Sequence, residues 1–167
     1  MSTDWNDIVR RHGPMVFGTA WRILGHAADA EDVVQQVFLE VFHLQKRQAV
    51  RHWGVLLRQI ATRRSLDELR RRRAVTTGGE SHLVELATGE KTPGPDAVAI
   101  GRELKQRLRD AISRLPEREA AVFCLRYFED LSNTQIAQTL DVTPGAVATA
   151  LHKARAKLET QLTEGTD

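Results

Sequence analysis

The chain has 167 residues, 41% of them hydrophobic and 28% charged, which suffices for a buried core and excludes global disorder. Its net charge is only +2, its single cysteine (Cys124) excludes an internal disulfide framework, and aromatic residues make up just 5%. No apolar run approaches the ~20 residues that cross a bilayer, and Met1 to Arg11 lacks a signal-peptide core, so the expectation is a cytoplasmic protein with no membrane insertion.

Ala, Leu, Arg, Glu and Gln dominate, which favours helix. Asp4 to about Gly25 reads as a first helix, with Trp5, Ile8, Val9, Val16, Phe17, Ala20, Trp21 and Leu24 at helical spacing and Gly25 as a natural stop. Pro14 predicts a kink or a break within it. A second helix, Asp29 to about Gln45, places Asp29, Glu31 and Asp32 in its first turn, where acids suit the helix dipole. Val34, Val37, Phe38 and Val41 form its inward face. The opposite face gathers Asp32, Gln35, Gln36 and Glu40 around Leu39. That face fits plain solvated surface, and it also fits a small docking surface for a basic partner helix.

A third helix spans about Val50 to Arg73. Arg63, Arg64, Arg70, Arg71, Arg72 and Arg73 crowd it, opposed only by Asp67 and Glu68. A solvated, frayed end is one reading; the second basic cluster at His152, Lys153, Arg155 and Lys157 favours a polyanion partner. Residues 74–95, "AVTTGGESHLVELATGEKTPGP", replace the helical pattern with Gly, Thr, Pro and acids and read as a linker. The pattern resumes from Asp96 to Leu115, and Pro116 is placed at the first position of a further helix, "PEREAAVFCLRYF". The expected architecture is all-α, with two small helical domains over 1–73 and 96–167 joined by a flexible linker.

The stretch "LSNTQIAQTLDVTPGAVATALHKARAKL" has the outline of a helix-turn-helix. Ser132 and Gln135 match a capping box, and Ile136, Ala137 and Leu140 give an inward face. Asp141 tolerates the left-handed turn, Thr143 caps the second helix, and Pro144 suits its first position. Val147, Leu151, Ala154 and Leu158 form the packing stripe of that helix; Gly145, Thr149, His152, Lys153 and Ala156 lie opposite. Thr149 is placed for a base or a phosphate, Lys153 and Arg155 for phosphates. Alanines let a helix sit deep in a groove and touch thymine methyls. What is missing is the long bidentate donor that gives about 1–3 kcal/mol of discrimination per base. A weak reader results, or a helix pair used for packing alone.

Catalytic and metal chemistry find no support in the pattern. His12, His26, His43, His52, His82 and His152 lack metal-ligand spacing, Gly78-Gly79 lacks the lysine of a phosphate loop, and Cys124 lies beside Phe123 and Leu125 as a core residue would. No cofactor is expected.

Four segments in order, "DAEDVVQQVFLEVF" (Asp29 to Phe42), "LLRQIATRRSLDELRRRR" (Leu56 to Arg73), "LPEREAAVFCLRYFEDLSNTQIAQTL" and "VTPGAVATALHKARAKL", resemble a bacterial sigma factor of the extracytoplasmic-function group. The resemblance covers nearly all of the chain outside the linker. It implies a promoter-recognition subunit of RNA polymerase and not an enzyme. Residues 1–73 would grip the clamp helices of the largest subunit through Asp32, Gln35, Gln36 and Leu39. The same domain would open the downstream promoter element with Gln45, Lys46, Arg47, Arg51, Arg63, Arg64, Arg70 and Arg71. Residues 96–167 would touch the flap of the second-largest subunit and read the upstream element with Thr143, Gly145, Ala146, Ala148, Thr149, His152, Lys153 and Arg155. The linker, with Glu80, Glu85, Glu90 and Asp96, would thread the RNA exit path, and an anti-sigma protein is a further partner the family admits.

The chain departs from the family in places. Leu56 stands where Trp is usual, Arg63 where Asn is frequent, Ala150 and Ala148 where basic residues are common, and Asp141 where Gly is usual. Trp53 and Leu56 are expected in the core. Two other readings stand beside the sigma factor: a stand-alone helix-turn-helix regulator, and a sigma-like polymerase-binding protein with weakened promoter reading.

Overall fold

The computed structural model describes residues 4–76 and 95–165. Among them the chain forms seven helices and no strand. The first three are α1 (Trp5–Leu24), α2 (Ala27–Gln45) and α3 (Trp53–Thr76). Asp4 starts α1 by accepting a hydrogen bond from the Asn6 amide at 3.0 Å, and Gly25 ends it at φ 66°, a left-handed conformation in which glycine carries no Cβ penalty. The helix runs unbroken through Pro14, where a break or kink was expected. Gly13 precedes the proline and has no Cβ to meet the ring, which removes one of the clashes that disfavour helix before proline.

α2 begins two residues earlier than the acids suggested, because the His26 imidazole caps it, Nδ1 accepting from the Asp29 amide at 3.4 Å. Val33, Val37 and Val41 of α2, Val16, Ala20 and Ile23 of α1, and Leu57, Ile60 and Ala61 of α3 close a three-helix core. Full burial of side chains of this size contributes about 1.5–3 kcal/mol each. At one end Trp5 stacks edge-on against Phe42 at 5.1 Å and Trp53 at 6.2 Å, and Leu56 also packs on this core. Both Trp53 and Leu56 are therefore packing residues.

The remaining helices are α4 (Pro95–Ser113), α5 (Glu117–Tyr127), α6 (Asn133–Leu140) and α7 (Pro144–Glu164). Pro116 caps α5 instead of opening it, with ψ 149° extended, so the helix starts one residue later than expected. Val122, Leu125, Leu131, Ile136, Val147 and Leu151 form the core of the helix-turn-helix. The expected linker falls largely on residues 77–94, outside the described residues. At its edges helix extends further than composition suggested, to Thr76 before it and from Pro95 after it.

The two helical domains pack against each other. Ala111, Ile112, Leu115, Ala120, Ala121, Cys124, Ala154 and Leu158 join the N-terminal core, and α3 lies between the two halves. Burial pushes the Cys124 thiol far up, so it stays protonated and behaves as a small apolar side chain. No helix among the described residues is long and apolar enough to cross a membrane.

Candidate nucleic-acid interface

Two surfaces gather the predicted residues. On α2 the apolar period turns Val33, Val37 and Phe38 inward, so Asp32, Gln35, Gln36 and Leu39 all face solvent. Leu39 is 60% exposed, a large apolar side chain ringed by an acid and two amides. Interfaces place an apolar centre inside a polar rim in this way.

Next to it, where α2 meets α3, Arg63 and Arg64 share one carboxylate. Arg63 Nη2 donates to Glu40 Oε1 at 2.5 Å, and Arg64 donates to Glu40 Oε2 from Nε at 2.7 Å and from Nη2 at 2.6 Å. Burial alone would raise the Glu40 carboxyl, but the hydrogen bonds and charges of Arg63 and Arg64 outweigh it and hold the group below its ordinary value. Gln36 Oε1 accepts from Arg64 Nη1 at 3.4 Å. A groove of about 500 Å³ opens here, lined among others by Leu39, His43, Leu44 and Arg47.

The segment after α2 is exposed at Lys46, Arg47 and Arg51, with Gln45 half-buried. Lys46 Nζ sits 4.4 Å above the Phe42 ring, a cation–π contact that fixes its direction. The end of α3 divides its arginines. Arg71 is exposed and pairs with Glu68 at 2.5 Å. Arg70 turns to the C-terminal half, donating to the Leu115 carbonyl at 3.4 Å, and Arg72 donates to the Leu24 carbonyl at 3.0 Å and pairs with Asp29. Helical rotation of about 100° per residue separates these neighbours. A run that looks uniform in sequence thus holds both surface and structural arginines.

The helix-turn-helix follows its sequence signals. Ser132 N–H donates to Gln135 Oε1 at 2.9 Å and Gln135 N–H to Ser132 Oγ at 3.2 Å, closing the capping box. Asp141 adopts φ 55°, ψ 50°, and Thr143 Oγ1 accepts from the Ala146 amide at 3.1 Å with Pro144 in the first turn. Val147, Ala150, Leu151, Ala154 and Leu158 face the core. Thr143, Gly145, Ala148, Thr149, His152, Lys153 and Arg155 are exposed on α7 or at its cap, and Ala146 is half-buried. Ala150 is therefore a packing residue, whereas Ala148 is exposed and Ala146 half-buried.

Some of the geometry around these residues was not visible in the sequence. Arg155 Nε donates to the Tyr127 hydroxyl at 2.5 Å with its guanidinium 5.4 Å over the ring, so an aromatic from α5 aims this basic residue. Lys157, grouped with the basic cluster by sequence, instead pairs with the buried Glu119 at 2.9 Å. The pairing of Glu40 with Arg63 and Arg64 was likewise missed. No sequence spacing joins residues on separate helices.

Comparisons with known proteins agree with this layout. Residues 8–75 match the family described as Sigma-70 region 2, and residues 105–158 the one described as Sigma-70, region 4. The chain is 30% identical to the RNA polymerase sigma factor CarQ of Myxococcus xanthus, over 96% of this chain and 90% of that one. It is also 30% identical to the ECF RNA polymerase sigma factor SigE of Mycolicibacterium smegmatis, over 95% of this chain and 61% of the relative, so it spans under two thirds of that protein's length. The ECF factor SigW of Bacillus subtilis is 26% identical over 93% and 87%. In fold, the chain resembles CnrH solved with the cytosolic domain of CnrY (TM-score 0.58, 21% identity, 98% and 89% covered). It resembles equally the sigma factor RpoE of Bartonella quintana solved with the anti-sigma factor NepR (TM-score 0.58, 16% identity, 97% and 98% covered). The chain belongs to the extracytoplasmic-function group of RNA polymerase sigma factors.

Proposed function

We propose that this chain directs core RNA polymerase to a set of promoters and initiates transcription there, without catalysing any reaction of its own. In this reading residues 1–73 dock on the clamp helices of the largest subunit through Asp32, Gln35, Gln36 and Leu39. Gln45, Lys46, Arg47, Arg51, Arg63, Arg64 and Arg71 then bind the opened downstream element. Arg70 joins them only if it leaves its contact with the Leu115 carbonyl. Residues 96–167 engage the upstream duplex through the exposed face of α7.

The observation that supports this most is the joint exposure of two surfaces on one chain: the Leu39 face of α2 and the basic face of α7. A small residue set at the start of α7 makes a weak base reader. Weak reading is adequate when polymerase holds both domains on one DNA, because the second contact is then effectively intramolecular. Lys153 and Arg155 supply sequence-independent phosphate attraction.

Size exclusion of the full chain with sigma-free core polymerase tests the reading. Co-elution of the wild type, lost in a Gln35→Ala, Leu39→Asp variant that keeps its helical content, is the expected result. A wild type that does not co-elute, or a variant that binds equally well, overturns the docking assignment. Promoter-directed transcription by the reconstituted holoenzyme then tests initiation.

A further inference from the structure

Arg63 and Arg64 are 45% and 36% exposed, yet both donate to a single carboxylate that is itself 28% exposed. Arg64 uses Nε and Nη2 together on one oxygen of Glu40, while Arg63 takes the other oxygen. An oxyanion whose two oxygens are each taken by a separate guanidinium is also how a backbone phosphate is held. The cluster carries two positive charges against one negative, with Arg47 lining the same groove, so its local charge attracts a further anion.

Resting on the reading above, in which these arginines bind the opened strand, we propose that Glu40 is an anionic placeholder. Its carboxylate holds the guanidinium groups of Arg63 and Arg64 in the free chain, and a phosphate of the captured strand displaces it. The placeholder keeps the two arginines aligned and keeps the unloaded protein from binding nucleic acid indiscriminately. Exchange is feasible because the pair is open to water, where ion pairs are weak and readily remade. The Gln36 oxygen that also accepts from Arg64 belongs to the proposed docking face, so the cluster adjoins the surface that meets polymerase. Glu40→Gln keeps the shape and one acceptor oxygen but removes the competing charge.

The test measures binding of the full chain to a short, labelled, random-sequence single-stranded DNA by fluorescence anisotropy across a salt series. Wild type, Glu40→Gln, Glu31→Gln, the Arg63→Ala, Arg64→Ala double variant and the triple variant with Glu40→Gln are compared, each checked for unchanged helical content. Glu31 is an exposed acid on the same helix and controls for the loss of one charge anywhere on α2. Glu40→Gln is expected to bind about three- to tenfold tighter, with the slope of log K against log salt steeper by about 0.7 per phosphate gained. Glu31→Gln is expected to change little, and the gain is expected to vanish in the triple variant. Equal gains in Glu31→Gln and Glu40→Gln overturn the placeholder. So does a Glu40→Gln variant that binds no better than wild type while the double arginine variant binds worse; strand binding by the arginines then stands, with Glu40 as a positioning residue. If the arginine variants bind as well as wild type in both backgrounds, the strand-binding assignment fails and the placeholder fails with it.

Discussion

The guanidinium of Arg109, on α4, lies directly over Gly25 at the end of α1 and donates to the Ile23 carbonyl at 3.1 Å. A residue of the C-terminal half thus satisfies a carbonyl that the last turn of the first helix leaves unpaired. Arg72 does the same for Leu24 from α3. Both cations sit at the negative end of the α1 dipole; burial pulls their pKa values down, and for Arg72 the nearby charge of Arg109 adds to it. The left-handed backbone requires Gly25, and an added Cβ would also displace the Arg109 guanidinium, the movable end of a long side chain, from its place over the helix end. Gly25→Ala is expected to destabilise the protein by about 2–3 kcal/mol, of which about 1–2 reflects the left-handed conformation. In an Arg109→Ala background the loss shrinks toward the conformational share. Urea unfolding of the four species of this cycle measures the coupling, and strict additivity would show that Arg109 does not rest on Gly25.

Glu129, in the turn after α5, gives the second tie between the halves. Its side chain is only 7% exposed and receives Arg22 of α1 at 2.5 Å, with Arg58 of α3 at 3.8 Å. Removing its charge leaves Arg58 facing the interface without its counter-ion. Glu129→Gln is expected to cost about 1–2 kcal/mol in urea unfolding. Arg22→Ala should cost less, because Arg22 is 43% exposed and water screens its share. Equal losses for the two variants would argue against a buried role for Glu129.

What was legible in the sequence was local. The capping box at Ser132, the left-handed Asp141 and the Thr143-Pro144 start are each set within four residues, and each was found where the pattern put it. The exposed set Asp32, Gln35, Gln36 and Leu39 follows from one helical period. Where the reading missed, the deciding contact was remote. Pro14 reads as a breaker, but α1 is clamped along its length against α2 and α3. Arg70 and Arg72 are indistinguishable from Arg71 in a run of like residues, and only the positions of Leu115 and Leu24 tell them apart. The sharing of one core between the domains was invisible for the same reason: Leu115, Cys124 and Leu158 look like the core of their own domain until α3 is set against them.

The alanines of α7 offer a sharper test, because the structure separates them. Ala150 is 6% exposed and packs with Val122 and Ile136, whereas Ala148 faces water. Ala148→Arg is expected to change stability by no more than about 0.5 kcal/mol and to strengthen duplex DNA binding with a steeper salt dependence. Ala150→Arg must either bury an unpaired guanidinium or push α7 off its neighbours, and is expected to cost about 3 kcal/mol or more. Thermal unfolding and anisotropy on the two variants decide it. Similar stability in both would mean that α7 is rotated relative to the packing described.

Acid gives the last prediction, and its sign follows from Glu40. An unperturbed glutamate titrates near 4.5, and Arg63 and Arg64 hold the folded value below that. The folded state therefore binds this proton less readily than the unfolded chain does. Its contribution to stability is fully present above about pH 5 and is lost as pH falls through the folded value. Asp7, paired with Arg10 and Arg11, shifts in the same direction, so the total acid curve cannot isolate Glu40. The difference between wild type and Glu40→Gln can. That difference is expected to be at most about 1 kcal/mol, as for a pair partly open to water, flat above pH 5 and shrinking below 4.5. A difference that widens on acidification would mean that Glu40 is held protonated in the fold, contrary to the geometry of its two arginines.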